Sequence, residues 1–359
     1  MKIVQVQTQA EAAGAQRVSD MVGEGLRARG HQVRTVFMYR KTDAYDADPH
    51  ADFILKRKPR GALDLVRAIV GLVGYMRRER PEAVISYQHY GNIFGTLAGR
   101  LAGARHLIAN QSGAPGKHGG RLAAPTDRLM GQYGAYDYSV VNSGWMEEQF
   151  ADYPAAYRAR LRRIDHGVAV AGARYDRRAA RAAFGLPDNV YLAISSGRLT
   201  DGKNQRSLVA ALAAIPEIHL ALAGVGPEQD ALKALAAERG VTERMHLVGE
   251  IPPNRIFEFL AAGDLYGFAS RTETFGLAVV EAAIAGLPVV ANDIAVLREV
   301  LGDAAVYADA ERPDDMAAAM RRVMSEPGLA VRLAVAGRAL KERYSPAAMC
   351  RAYDELLAS

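Results

Sequence analysis

Residues 265–291, LYGFASRTETFGLAVVEAAIAGLPVVA, contain the pattern that decides the fold. Residues 265–269 form a short apolar run, which is typical of a fully buried strand. Residues 278–285 are apolar and predict a helix, and residues 289–291 predict a second strand after Gly286 and Pro288. A strand, a helix and a strand in this order predict a parallel β-α-β unit.

The same alternation runs along both halves of the chain. Predicted strands cover residues 2–7, 33–38, 83–87, 106–109 and 138–141 in the first half, and 191–195, 218–223, 245–248, 265–269, 289–291 and 304–307 in the second. Helices lie between them, for example over 15–29, so each half is predicted to be an α/β domain with a doubly wound parallel sheet. The small and polar segment 169–174 separates the two series. We therefore predict one Rossmann-like domain over 1–168 and a second over 169–344.

Composition excludes several classes of protein. The 359 residues are enough for two domains, and a content of 50% hydrophobic and 24% charged residues excludes a long disordered tract. The one cysteine, Cys350, excludes an intrachain disulfide and favours a reducing compartment. No signal peptide or bilayer-spanning segment is recognised, so we expect a cytoplasmic protein. The net charge of +5 suits an anionic ligand better than nucleic acid.

Two loops that follow predicted strands carry residues suited to binding phosphate. Residues 270–277 lead into a helix, whose first N–H groups and dipole attract an anion, and Glu273 and Glu281 are able to accept hydrogen bonds from nearby hydroxyls. Arg198 and Lys203 stand on a glycine-containing turn where both are able to converge on a diphosphate. Each pattern taken singly is also typical of solvated surface charges.

Small residues form two further turns. Gly224-Val225-Gly226-Pro227 is similar to a dinucleotide fingerprint, but Gln229 stands in the place of the third glycine, so we discount that function. Gly14 follows the first strand, where a glycine lets a ligand approach the backbone closely.

In combination, these motifs resemble the family 4 glycosyltransferases of GT-B fold. The second half carries Gly197-Arg198 with Lys203-Asn204, Gly224-Val225-Gly226-Pro227, Glu273-Thr274-Phe275-Gly276-Leu277 with Glu281, and Gly286-Leu287-Pro288. The resemblance in the first half is looser and rests on the Gly14 turn, Val141-Asn142-Ser143 and Asp165-His166-Gly167-Val168. It implies two Rossmann-like domains facing a central cleft, with the terminal helix, 345–359, packing back on the first domain.

The resemblance also implies a function. It implies a retaining, metal-independent transfer of a hexose-type sugar from a nucleoside diphosphate sugar, a UDP-sugar rather than a GDP-sugar, with no cofactor. The acceptor would be a glycan, a lipid-linked sugar or a small molecule, in glycan, polysaccharide or glycolipid biosynthesis. Carried over by motif, Arg198 and Lys203 would neutralise the diphosphate, Glu273 would bind the donor sugar and Glu281 the ribose. The other implied donor-binding residues are Gly14, Gly197, Gly224, Gly226, Thr274, Phe275, Gly276 and Leu277.

Two features depart from the family pattern or compete with it. The family commonly has a histidine after the fourth strand of the first domain, where this chain has Gln111 or Ser112, and His89 and His118 are alternatives for the sugar or acceptor contact. The segment 46–52, with three aspartates and His50, has the composition of a metal site, but its polarity and Pro49 favour a surface loop.

Other functions and one location stay open. A nucleotide-sugar epimerase of GT-B fold would use the same donor without an acceptor, and a non-catalytic binding protein would hold the nucleotide sugar without reaction. Residues 62–80 predict a largely apolar helix, preceded by the basic residues 56–60. Such a helix either packs in the core or holds the protein against the anionic inner face of the plasma membrane.

Overall fold

The computed structural model describes residues 1–11, 14–116, 123–170 and 175–359. They form two compact units, one comprising Met1–Gly167 with Tyr344–Ser359 and the other Val168–Arg343. Each unit is built on one parallel sheet, and helices connect all its successive strands except the second and third strands of the first unit, which are joined by a loop. The predicted α/β class with two doubly wound sheets is confirmed. No helix in the described ranges is long and apolar enough to cross a bilayer.

The first unit contains a parallel sheet of seven strands in the described part of the chain. Its strands are β1 (Lys2–Ala10), β2 (Gln32–Arg40), β3 (Ala51–Leu55), β4 (Ala83–Tyr87), β5 (His106–Asn110), β6 (Tyr138–Val141) and β7 (Leu161–Arg163). Their order in space is β3-β2-β1-β4-β5-β6-β7. The order reverses between β1 and β4, and ligands of such sheets bind beyond the carboxyl ends of strands at this kind of reversal.

The helices of the first unit cover both faces of its sheet. They are α1 (Gly14–Arg27), α2 (Ala62–Glu79), α3 (His89–Leu101), α4 (Ala123–Gln132), α5 (Gly144–Glu148), α6 (Ala155–Arg158) and the terminal α15 (Pro346–Ala358). Helix α15 packs on α1, where a side chain at Gly25 would overlap Cys350. Cys350 is buried there, and burial raises the pKa of its thiol.

The second unit contains six strands among the residues that are described. They are β8 (Tyr191–Ser196), β9 (Ile218–Ala223), β10 (Met245–Gly249), β11 (Leu265–Phe268), β12 (Val289–Asn292) and β13 (Ala305–Ala308), in the spatial order β10-β9-β8-β11-β12-β13. The helices are α7 (Arg177–Ala183), α8 (Gln205–Ala211), α9 (Gln229–Glu238), α10 (Ile256–Ala262), α11 (Leu277–Ile284), α12 (Ala295–Leu301), α13 (Pro313–Ser325) and α14 (Leu329–Arg343). Here the order reverses between β8 and β11.

Two strands are missing from the sequence prediction. The segment 46–52, expected to be a loop, ends inside β3, whose five residues are all only half-buried at the edge of the sheet. Strand β7 contains two exposed arginines after Leu161. Both are edge strands with little apolar periodicity, so the signal that identifies buried strands is absent from them.

Candidate functional site

The loop between β11 and α11 brings a helix N-terminus to the reversal point of the second sheet. Gly276 precedes the helix with φ of 86° and ψ of 54°, a left-handed conformation that side chains rarely adopt. A Cβ atom there would lie 3.1 Å from Cγ1 of Val279 and 3.2 Å from Cδ2 of Leu297. Glycine has no side chain that could cap the helix. The N–H groups at the start of α11 are therefore available to hydrogen-bond a bound anion.

Lys203 and Glu273 link this loop to the one that follows β8. The Nζ atom of Lys203 donates to Oε1 of Glu273, and it lies 5.6 Å from the centre of the Phe268 ring. Side-chain exposure is 29% for Lys203 and 12% for Glu273. An ion pair so little exposed is screened less than one on the surface. The two predicted anion-binding loops therefore form one site.

Arg271 holds the same two loops together, and a buried asparagine joins the loop after β11 to the end of β12. Nη1 of Arg271 donates to the carboxylate of Asp201 at 2.7 Å, and its Nε donates to Glu311 at 2.6 Å. The backbone N–H of Arg271 donates to the carbonyl of Gly202 at 2.9 Å. Asn292, at the end of β12, donates to the carbonyl of Ser270 at 2.9 Å. The sequence prediction missed Arg271 and Asn292, and their places at strand ends were the available signal.

Arg198 offers a cation to this site. It follows Gly197 after β8, between the buried Ser196 and Leu199, and its side chain is exposed. In the described ranges its guanidinium makes no hydrogen bond or ion pair, whereas its carbonyl accepts a hydrogen bond of 3.0 Å from Nε2 of Gln205. The backbone is therefore fixed while the charge remains available to an anionic ligand.

Gly224 and Gly226 allow two loops to pack closely. A Cβ atom at Gly224 would overlap the carbonyl oxygen of Gly197, and one at Gly226 would overlap that of Leu199. Their neighbours Ala223 and Val225 accept hydrogen bonds from the N–H groups of Gly197 and Leu199 at 2.9 and 3.0 Å. These glycines thus position the Arg198 loop, and their contact with a donor stays a prediction.

Glu281 lies at the same end of the sheet. It is buried on α11, and its negative charge, with that of Glu273, adds to the burial that raises the pKa of the Tyr266 hydroxyl. That hydroxyl bonds Oγ of Ser196 at 2.8 Å and accepts from the N–H of Ser196 at 3.1 Å. The second unit thus brings Arg198, Lys203, Glu273, Gly276 and Glu281 to the carboxyl ends of β8 and β11. Thr274 and Phe275 lie in the loop after β11, and Leu277 is the first residue of α11.

The first unit brings three of its four predicted contact residues into one cavity. His89 begins α3, Gln111 and Ser112 follow β5, and all three line the cavity together with Asp127. His118 lies outside the described residues, and Gly14 begins α1. Asp127 is buried on α4 and was missed, because one carboxylate on a helix has no sequence pattern of its own.

Gln88, directly before α3, was also missed. Its φ of 62° and ψ of 163° are unusual for a residue with a side chain, and such conformations concentrate at functional sites. Its Oε1 atom accepts a hydrogen bond of 3.0 Å from the N–H of Thr8 at the end of β1. This bond holds the backbone in place next to His89.

Two of the three carboxylates of the segment 46–52 are engaged in ion pairs. Asp46 accepts from Nε of Arg40 at 2.7 Å, and Asp52 accepts from Nε of Arg34 and from the Tyr75 hydroxyl, each at 2.7 Å. These donors hold the pKa of both carboxyls below the usual value. Among the residues described, no three His, Cys, Asp or Glu side chains are grouped as metal ligands.

Two protein-family models match this chain, one in each half. Residues 12–171 match the model described as Glycosyltransferase Family 4, and residues 176–340 match the model described as Glycosyl transferases group 1. These matches confirm the resemblance to family 4 glycosyltransferases that the sequence motifs indicated.

Similar curated proteins and solved structures agree with the family models. A D-inositol 3-phosphate glycosyltransferase of Rhodococcus jostii is 32% identical over 77% of this chain, and the match spans 61% of that relative's length. A lipopolysaccharide core biosynthesis glycosyltransferase, LpsE of Rhizobium meliloti, is 31% identical over 50% of this chain and 53% of its own. The structure of HepE from Anabaena in complex with UDP and glucose has a TM-score of 0.85 at 18% identity, with both chains covered fully. Sucrose-phosphate synthase from Thermosynechococcus elongatus has a TM-score of 0.84 at 21% identity, covering 99% of each chain. At these identities the structures show the fold alone.

Proposed function

Because this chain belongs to the family 4 glycosyltransferases of GT-B fold, we propose that it transfers a hexose-type sugar from a nucleoside diphosphate sugar to an acceptor hydroxyl. The proposal includes retention of anomeric configuration and no requirement for a metal ion. One observation carries it: an exposed arginine without an ion-pair partner among the described residues, a partly buried lysine and a helix N-terminus lie on two adjacent loops. This combination suits a diphosphate.

The chemistry explains why the charges matter. The bond between the anomeric carbon and the diphosphate oxygen breaks, the acceptor oxygen bonds to that carbon, and the acceptor's proton passes to the leaving phosphate. The leaving group gains negative charge in the transition state, and fixed cations next to it stabilise that charge. Arg198 and Lys203 take this role in the proposal, with the N–H groups at Gly276 and Leu277. Glu273 and Glu281 then accept hydrogen bonds from hydroxyls of the sugar and of the ribose.

We infer a uridine nucleotide as the donor, with no other cofactor. Structures of HepE are described with UDP and with UDP-glucose, and this chain has the same fold. Two curated relatives are named a D-inositol 3-phosphate glycosyltransferase and a lipopolysaccharide core biosynthesis glycosyltransferase. A sugar alcohol phosphate or a lipid-linked glycan is therefore the acceptor class that we propose.

We further propose that the first unit binds the anionic inner face of the plasma membrane through α2. One face of this helix packs in the core through Ala68, Leu72 and Met76, whereas Leu63, Val66 and Val70 on the other face are 65%, 54% and 65% exposed. Exposed basic residues precede them at Lys56, Arg57, Lys58 and Arg60. Apolar side chains beside cations favour adsorption to anionic lipid.

The test is incubation of the protein with a panel of nucleotide sugars without acceptor, followed by mass spectrometry. Slow release of UDP and free sugar supports the transferase. Conversion of the donor to its epimer would identify the epimerase, and binding without any conversion would identify a nucleotide-sugar-binding protein.

A further inference from the structure

The cavity next to His89 is small and has both polar and apolar lining residues. It has a volume of about 30 Å³ and is lined by His89, Gln111, Ser112 and Asp127 and also by Phe150 and Tyr153. This space accommodates a water molecule or a single hydroxyl group rather than a whole sugar ring. It lies after the carboxyl ends of β4 and β5.

Asp127 is the centre of a buried hydrogen-bond network. Its Oδ2 atom accepts from the Tyr157 hydroxyl at 2.7 Å, and its Oδ1 atom accepts from Nε2 of Gln111 at 3.0 Å and from the Tyr136 hydroxyl at 3.2 Å. Burial raises the pKa of this carboxyl overall, and these hydrogen bonds and the nearby charge of His89 offset part of that rise. All three neighbouring groups donate to the carboxyl group, which is the arrangement that an acceptor-only carboxylate requires.

An ionised carboxylate determines which way the Gln111 amide points. A carboxylate only accepts hydrogen bonds, so the amide must present its NH2 group to Asp127. The same Nε2 atom also lies 3.1 Å from Oγ of Ser139 and 3.2 Å from the Tyr157 hydroxyl. Gln111 is 8% exposed, and its carbonyl oxygen Oε1 accepts no hydrogen bond from any described residue. This oxygen is not among the fully buried polar atoms that lack a partner, so a ligand or a water molecule is able to reach it and donate a hydrogen bond.

We propose that Asp127 is a positioning residue, which fixes the Gln111 amide so that its carbonyl oxygen accepts a hydrogen bond from a hydroxyl group of a bound sugar. This inference rests on the proposed function, because it takes the ligand to be the transferred sugar or the acceptor. An isolated side-chain amide offers a donor and an acceptor equally, and the carboxylate removes that ambiguity. The cavity then selects a hydroxyl over an ether or carbonyl oxygen, which has no hydrogen to donate.

The experiment compares wild type with Asp127→Asn, whose neutral amide allows Gln111 to rotate. UDP release from UDP-glucose is measured with water as acceptor and again with D-inositol 3-phosphate. If the hydroxyl belongs to the transferred sugar, KM for UDP-glucose rises about tenfold in both reactions while the Kd of UDP is unchanged. If it belongs to the acceptor, only the KM of inositol 3-phosphate rises. The assay is then repeated with UDP-glucose analogues that each lack one sugar hydroxyl. The analogue without the bound hydroxyl should give the same KM with wild type and with Asp127→Asn, and this identifies the hydroxyl.

Two further variants separate positioning from folding. Tyr136→Phe removes a different hydrogen bond of Asp127 but keeps the carboxylate to which Gln111 donates. Its KM values should therefore equal those of wild type. Gln111→Leu should reproduce the effect of Asp127→Asn, and the double variant should show no additional loss. Unchanged KM values in Asp127→Asn, or an equal rise in Tyr136→Phe, would overturn the inference. A wild type that neither binds UDP nor releases it would instead overturn the proposed function on which the inference rests.

Discussion

Lys203 and Glu273 form an ion pair although they are 70 residues apart in the sequence. The pair joins the loop after β8 to the loop after β11 and places a carboxylate beside the lysine that we assign to the diphosphate. A bound diphosphate would then compete with Glu273 for Lys203, whereas Arg198 has no such competitor among the described residues. The two cations therefore differ in their expected contributions to folding.

We expect Arg198→Ala to lower kcat by about 30-fold to 1000-fold, the range for losing transition-state stabilisation of about 2 to 4 kcal/mol. Its free energy of unfolding should change by less than about 0.5 kcal/mol, because the guanidinium is exposed.

Lys203→Ala should lower kcat similarly and also destabilise the second unit, since Glu273 loses its partner. Steady-state kinetics and urea unfolding measure both effects. The matched control is Arg206→Ala, an exposed arginine on α8 that pairs with Glu228; near-wild-type kcat in both site variants would contradict their roles.

Activity should persist in excess EDTA, because fixed cations and the N-terminus of α11 stabilise the leaving diphosphate in the proposed reaction. UDP release is measured with EDTA and again with added magnesium or manganese. A strict requirement for either ion would contradict the metal-independent mechanism and direct attention to Asp46 and Asp48.

Binding to vesicles should depend on the exposed face of α2. The triple change Leu63→Gln, Val66→Gln and Val70→Gln removes apolar surface without touching the core, so it should reduce flotation with phosphatidylglycerol vesicles severalfold. The matched control is Val331→Gln with Val335→Gln on α14, where the two valines are 66% and 60% exposed. If wild type floats equally poorly with anionic and neutral vesicles, the membrane proposal is wrong.

Asp20 makes the stability of the first unit depend on pH. Burial raises the pKa of this carboxyl from 3.8 to about 6, although the Tyr45 hydroxyl donates to it at 2.7 Å. The folded state therefore binds a proton that the unfolded state releases near pH 4, so stability falls as pH rises from about 4 to about 6. We expect Asp20→Asn to raise the free energy of unfolding by about 1 to 3 kcal/mol at pH 7.5, and by much less at pH 4.5.

The fluorescence of Trp145, the one tryptophan of the chain, reports unfolding of the unit that contains Asp20. Urea titrations of wild type and Asp20→Asn at both pH values then measure the difference. A difference independent of pH would show that Asp20 is not protonated in the folded state.

Gly224→Ala should abolish donor binding and destabilise the second unit by about 2 kcal/mol or more, because its methyl group overlaps the carbonyl oxygen of Gly197 and its φ is 135°. Gly202→Ala is the matched control in the adjacent turn, where the nearest atom to the added carbon is Oγ1 of Thr272 at 3.9 Å. Calorimetric titration with UDP and thermal unfolding measure both properties. Equal behaviour of the two variants would contradict the packing role of Gly224.

The sequence by itself determined where the buried strands lie along the chain, the fold class, and the loops that form the candidate site in the second unit. Strands β4, β6 and β9 occupy the predicted residues, because a short apolar run between polar segments is a local signal of a strand covered on both faces. The residues after β8 and β11 were likewise identifiable, since a glycine-containing turn between a strand and a helix is also a local pattern.

Only the tertiary structure decided which distant residues meet. The edge strands β3 and β7, the pairing of Lys203 with Glu273 and the network around Asp127 depend on contacts between segments far apart in the chain. A single carboxylate on a helix has the same sequence pattern whether it faces water or a buried amide. The difference is made by the neighbours that packing brings to it, because desolvation and hydrogen bonding determine what a polar side chain is able to do.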